Sequence, residues 1–160
     1  MANSSSKKVK NVSPKKVKVA KPKVNKKRLL KSLEDICSQL CSINATGMCE
    51  ICGKVGTQAH HVFSKKSFPS LRYNLDNLIW LCFFCHIRRT HQQGQYELVR
   101  DAMIKRLGVE GFDSLKELAY KKYTGLKRVS INMLIDLEKN LSTILQNASH
   151  SKKSFILYPH

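Results

Sequence analysis

Two Cys-x-x-Cys pairs, Cys49-Glu-Ile-Cys52 and Cys82-Phe-Phe-Cys85, bracket a stretch that holds His60-His61 and Asn77, and His86 directly follows the last cysteine. Each x-x turn aims two thiolates at one point, with Gly53 allowing a tight backbone after the first pair. Four sulfurs can therefore close a tetrahedral zinc site. The pairs stand 29 residues apart, which suits an inserted hairpin. Metal binding of about 10–16 kcal/mol in such sites can decide whether a small domain folds. The plain alternative is four buried thiols with no metal. Cys37 and Cys41 differ: they fall in a helical stripe and are expected to pack in a core.

Charge limits the partners. The chain has 160 residues, enough for one domain and a tail, and a net charge of +18. Residues 1–30 carry 11 Lys/Arg and no acid, while the other 130 carry 18 bases against 11 acids. Such a protein attracts polyanions, and nucleic acid is the expected one because its phosphates release counterions on binding. A membrane surface is disfavoured because the basic segment has no aromatic or leucine face. No apolar stretch follows Met1 as a secretory leader would have, and the run Leu78 to Phe84 is too short to span a bilayer. Paired cysteines without a leader point to metal in a reducing compartment, a cytosol or nucleoid. The Pro14-Lys-Lys-Val-Lys-Val segment also resembles a nuclear import signal.

The patterning predicts an α+β fold with a short basic tail. Residues 1–28 lack aromatics and any usable period, so they are expected to be disordered. A domain over 29–146 and a loose tail over 147–160 follow. Ser32, with Asp35 three residues on, suggests a helix start, and Leu33, Ile36, Cys37, Leu40, Cys41 and Ile43 share one face of that helix. Gln58 to Phe63 and Leu78 to Leu81 read as short strands joined by a basic loop, and His86 to Gln93 as a short helix ending at Gly94. Further helices are expected over Tyr96 to Leu107 with a stop at Gly108, from Asp113 to Thr124-Gly125, and after a Ser130 cap. The last carries a broad stripe of Leu134, Ile135, Leu137, Leu141, Ile144 and Leu145. That stripe suits a homodimer interface or, the favoured reading, burial within one chain. Trp80 is expected in the core rather than as a base-stacking platform.

Three imidazoles and an amide between and beside the knuckles exceed what a structural zinc site needs. On a regular strand His60 and His61 point to opposite faces. His60 and His86 can then hold a divalent ion while His61 faces a cleft as general base, the parts that phosphodiester hydrolysis requires. The rival is that one of the imidazoles is an extra zinc ligand.

This ordered set, His61, Asn77 and His86 within two knuckles, resembles the HNH endonucleases built on the ββα-metal motif. The run Leu71-Arg-Tyr-Asn-Leu-Asp-Asn-Leu before Cys82 is similar to that family's central segment. The resemblance implies His61 as the general base, Asn77 aiming it through hydrogen bonds to backbone, and His86 with His60 binding a catalytic Mg²⁺ or Mn²⁺ beside the structural Zn²⁺. Many relatives carry an acid in the place of His60. From Cys49 to Leu145 the order of elements also resembles the NinG/Rap recombination nucleases of lambda-type phages. The later Tyr96-Glu-Leu-Val and Ile104-Lys-Arg-Leu-Gly segments contribute to that likeness. It implies branched DNA as substrate.

Lys65, Lys66, Arg72, Arg88 and Arg89 lie beside the expected cleft and are candidates for phosphate contact; a solvated surface is the alternative for each. Two other functions fit the same residues. One is a zinc-held DNA-binding accessory protein without turnover, and the other is a homing or defence nuclease with a different target.

Overall fold

In the computed structural model residues 25–121 and 130–156 are described, with side chains as far as 150. The expected basic tail up to residue 24 lies outside the described residues, and the helix expected to reach Thr124-Gly125 ends at Tyr120, where Lys121 turns extended.

Helix α1 spans Lys26–Asn44, strands β1 and β2 span Gln58–His61 and Leu78–Leu81, α2 spans Phe84–Gln92, α3 spans Tyr96–Tyr120 and α4 spans Ile131–Ile156. The helices thus flank one antiparallel two-stranded sheet, with register Gln58↔Leu81, Ala59↔Trp80, His60↔Ile79 and His61↔Leu78. Period-2 alternation divides the core into two layers. Leu78 and Trp80 join a cluster with Leu29, Leu33, Ile36, Cys37, Leu40 and Cys41 of α1 and Leu134 and Leu141 of α4. Ile79 and Leu81 pack on the other side with Cys85 of α2 and Val99, Met103 and Leu115 of α3.

Helix α1 begins six residues before the expected Ser32, taking in Lys26 to Arg28 that composition had assigned to the tail. Its cap is Asn25, whose side chain accepts from the Arg28 backbone N–H at 3.2 Å. Leu29 lies one turn ahead of Leu33, and both are buried, so packing against α4 extends the helix through its lysines. The α4 stripe, apart from the exposed Ile144, therefore packs on α1 of the same chain, and the Ser130 hydroxyl caps α4 by accepting from the Met133 N–H at 3.2 Å. The helix also runs on to Ile156, through residues expected as a loose tail.

Strand β2 has its expected limits, whereas β1 stops at His61. Gly108, with φ 75° and ψ 168°, breaks α3 into two arms. The second arm resumes directly instead of at Asp113. Trp80 is core, and it touches the chain so closely at Gly56 that an added Cβ would lie 2.2 Å from its ring. Among the described residues no helix is long and apolar enough to cross a membrane.

Candidate functional site

The four knuckle cysteines converge. The sulfurs of Cys49, Cys52, Cys82 and Cys85 all lie within 4.8 Å of one another. Short backbone bonds shape both turns, from the Gly53 N–H to the Cys49 carbonyl at 2.8 Å and from the Cys85 N–H to the Cys82 sulfur at 3.4 Å. All six cysteines of the chain are free thiols. Burial and neighbouring thiols push Cys52 up. Burial works the same way on Cys82, yet the Cys85 N–H and the adjoining sulfurs outweigh it and bring that thiol down to about 7. Burial and the other three sulfurs push Cys85 up. The Cys82 thiolate is favoured while those of Cys52 and Cys85 are resisted, a resistance that a divalent cation would offset. The donor set fits zinc.

Arg106 of α3 ties this centre to the sheet. Its guanidinium donates to both oxygens of Glu50, each at 3.1 Å, and to the Leu78 carbonyl at 2.7 Å. Glu50 in turn accepts from the Trp80 N–H at 2.7 Å.

A second cluster lies on the opposite side of β1 from α1. His60 shares its face of β1 with Gln58, and both are directed toward α2. Ligand nitrogens of His60, His86 and His91 all lie within 4.8 Å of one another. The Nε2 atoms of His86 and His91 are 3.2 Å apart, close to the roughly 3.3 Å expected between two nitrogens bonded at about 2.0–2.1 Å to one tetrahedral ion. Gln58 Oε1 accepts from His86 Nδ1, which leaves the Nε2 lone pair turned into the cluster. Burial, then repulsion from His86, His91 and His61, depresses His60 to about 4. Burial followed by His91 lowers His86 as well. Both shifts favour the neutral ring in His60 and His86, the form in which an imidazole binds a metal.

His91 and Gln58 are additions to the residues singled out in the sequence. His91 stands five positions after His86, which places it about 140° away on an α-helix. Helix α2 is instead a π-helix, with i→i+5 bonding that brings the pair onto one face. Its wider turn continues in the Gln93 N–H, which donates to the Arg88 carbonyl at 3.0 Å. Thr90, buried, donates its hydroxyl to the Cys85 carbonyl at 2.9 Å.

His61 ends β1 and points away from its neighbour. Its Nε2 lies 2.9 Å from the Arg72 carbonyl. Because a carbonyl only accepts, Nε2 carries the proton and Nδ1 keeps its lone pair. Burial, with Lys65 and Arg72 nearby, lowers its pKa below the ordinary imidazole value against the opposing pull of the carbonyl. An open cleft of about 320 Å³ is lined by His60, His61, His86, His91, Lys65 and Tyr96. The three candidate ligands and the candidate base thus share one opening.

Asn77 is fully buried at the junction between loop and β2. Its side-chain oxygen accepts from the Phe63 N–H at 2.8 Å, and its amide donates to the Phe63 and Leu71 carbonyls at 3.0 and 3.1 Å. It thereby pins both ends of the loop that carries the Arg72 carbonyl. The cationic candidates divide. Lys65 and Arg72 both reach Glu34 of α1. Burial would raise the Glu34 carboxyl, but these two cations together hold it below the usual range. Lys66 and Arg88 are exposed, while the Arg89 guanidinium lies 5.4 Å from the centre of the Phe84 ring.

No curated protein and no solved structure matches the chain. Residues 49–92 match the family model described as HNH endonuclease, from the first knuckle cysteine to the end of α2. The likeness to the NinG/Rap nucleases has no such support, and the match is to HNH in general. The matched segment carries two strands, a helix, a four-cysteine cluster and a three-histidine cluster.

Proposed function

We propose that this chain is a zinc-stabilised endonuclease that hydrolyses DNA phosphodiester bonds, with His61 as general base. The observation that carries the reading is the shared cleft, where His61, its Nε2 engaged by the Arg72 carbonyl, lines the same space as His60, His86 and His91. His61 Nδ1 takes a proton from water as the water oxygen bonds to phosphorus and the bond from phosphorus to the 3′ oxygen breaks. The leaving 3′ oxygen takes a proton from solvent and His61 returns its own to solvent, so the products are a 5′-phosphate and a 3′-hydroxyl. Asn77 and the Arg72 carbonyl keep the ring aimed. His60, His86 and His91 would hold a divalent cation, which would supply positive charge for the phosphate and the leaving oxygen.

The donor set bears on which ion that is. Imidazoles without a carboxylate favour transition ions, whereas Mg²⁺ prefers oxygen ligands. Of the two ions expected from sequence, Mn²⁺ fits better. Lys66, Arg88 and Arg89 contact phosphates, and Lys65 and Arg72 do so once released from Glu34. The finer substrate is branched DNA, for which the support is the sequence likeness to recombination nucleases. A symmetric junction needs two cuts and hence two chains. The free cysteines suit a reducing cytosol or nucleoid.

The test is nicking of supercoiled plasmid and of a four-way junction, each with Mn²⁺, Mg²⁺ or no added ion. Cleavage that needs an added ion and vanishes in His61→Ala is the expected result. Tight binding without cutting under every ion would leave the DNA-binding accessory reading. Equal cutting of plasmid and junction would remove the branched preference alone.

A further inference from the structure

Phe83 and Phe84 occupy the two positions between the ligating cysteines of the second knuckle and are 59% and 54% exposed. Neither joins the core clusters on either face of the sheet. Their backbone is fixed at both ends by Cys82 and Cys85, so their rings stand on a rigid turn. Arg89 already lies over the Phe84 ring, and Arg88 beside it is exposed. From Phe83 through Tyr96 the sequence has no acid. The same helix carries His86 and His91, so the rings sit within about 10 Å, along the axis, of the candidate ligands.

We propose that Phe83 and Phe84 are a stacking platform for unpaired DNA bases, flanked by Arg88 and Arg89 as backbone contacts. Aromatic faces beside cations accept bases of any sequence, because every base offers a π face and every nucleotide a phosphate. Duplex bases are already stacked and cannot use the platform without unpairing. A second copy of the chain is a poor occupant, since two-fold contact here would bring Arg88 and Arg89 against their own counterparts. The inference rests on the nuclease reading and names its substrate class: DNA with unpaired nucleotides close to the cut.

The experiment uses the full chain in a His61→Ala background, so that binding is read without cleavage. Fluorescence anisotropy compares a labelled single-stranded oligothymidine with a blunt duplex of equal length. Phe83→Ala/Phe84→Ala should weaken single-strand binding by about 5- to 150-fold for each stacked base lost, with duplex affinity moving less than about twofold. Phe83→Leu/Phe84→Leu, which keeps apolar bulk without a ring face, should behave like the alanine pair. Zinc content equal to that of the parent shows the knuckle intact, and the leucine pair serves if the alanine pair loses zinc. Equal losses on both probes, no loss on either, or full binding by the leucine pair would each overturn the platform. A platform that binds single strands in a protein whose parent cuts nothing would sink the nuclease reading instead.

Discussion

Glu34 of α1 grips the guanidinium of Arg72 while the carbonyl of the same Arg72 accepts from His61. The carboxylate also holds Lys65 at 3.0 Å. One acid from outside the matched segment thus anchors the residue that aims the candidate base and occupies Lys65, a cation of the cleft, together with Arg72. Glu34→Gln should therefore act in two directions. Loosening a partly exposed ion pair is worth little, so kcat should fall only about twofold to fivefold. Freed Lys65 and Arg72 should bind DNA phosphates, lowering KM and steepening the salt dependence by about 0.9 per added contact. Unchanged kcat and KM would show that the grip has no part in catalysis or binding.

Asn77 makes three backbone hydrogen bonds from a fully buried position. Asn77→Ala removes the partner of the Phe63 N–H and of the Phe63 carbonyl, each costing about 1–3 kcal/mol where water cannot reach, while the Leu71 carbonyl keeps the Asn74 N–H at 3.2 Å. Asn77→Asp restores the acceptor for Phe63 but faces two carbonyls with a carboxylate, so it should not rescue. Denaturant unfolding with zinc present should show a loss of about 3 kcal/mol or more for both variants. A midpoint equal to wild type would mean that the loop is held by other contacts.

The two clusters should release metal independently. Four thiolates enclose the first, and the second uses three imidazoles at an open cleft, one of them on the exposed His91. His91→Ala should keep one zinc per chain while losing at least about 100-fold in affinity at the second site. Gln58→Ala, which removes only the partner orienting His86, should lose about 10- to 100-fold. Metal analysis after dialysis against graded chelator separates the two. Loss of the tightly held zinc in His91→Ala would show that the centres are coupled.

Local pattern carried much of this arrangement and three-dimensional contact the rest. The four cysteines and β2 were legible because ligand spacing and a run of buried β-formers are local signals. The opposite facing of His60 and His61 followed from strand period. His91 was not legible, because an α-helical period turns it away from His86 and nothing local announces a π-helix; Thr90 and the Cys85 carbonyl reveal it only once folded. Glu34 was hidden for another reason. It lies 38 positions before Arg72, on a helix face read only for its apolar stripe. Leu29 had the right spacing to Leu33, but surrounding lysines outweighed it until α4 supplied a surface to pack on.

Cys37 and Cys41 give a test that is independent of both metal centres. Burial, then the Glu34 charge, pushes Cys37 up to about 11, while burial and Glu50 push Cys41 up to about 12. In the unfolded chain each ionises near the ordinary thiol value of about 8.5. Their contribution to stability is fully present below that value, because both states then hold the proton. It declines as pH rises, by about 1.4 kcal/mol per unit for each thiol, until the folded thiols themselves ionise near 11 and 12. Thiol reagents should therefore leave both cysteines unlabelled at pH 8 in the folded, zinc-loaded protein. Between pH 8 and 10.5 the melting temperature should fall more steeply in wild type than in Cys37→Ala/Cys41→Ala. Knuckle chemistry is common to both proteins and drops out of that difference. Parallel curves would mean that these two thiols ionise alike in the folded and unfolded chain, and so are not held in a dry core.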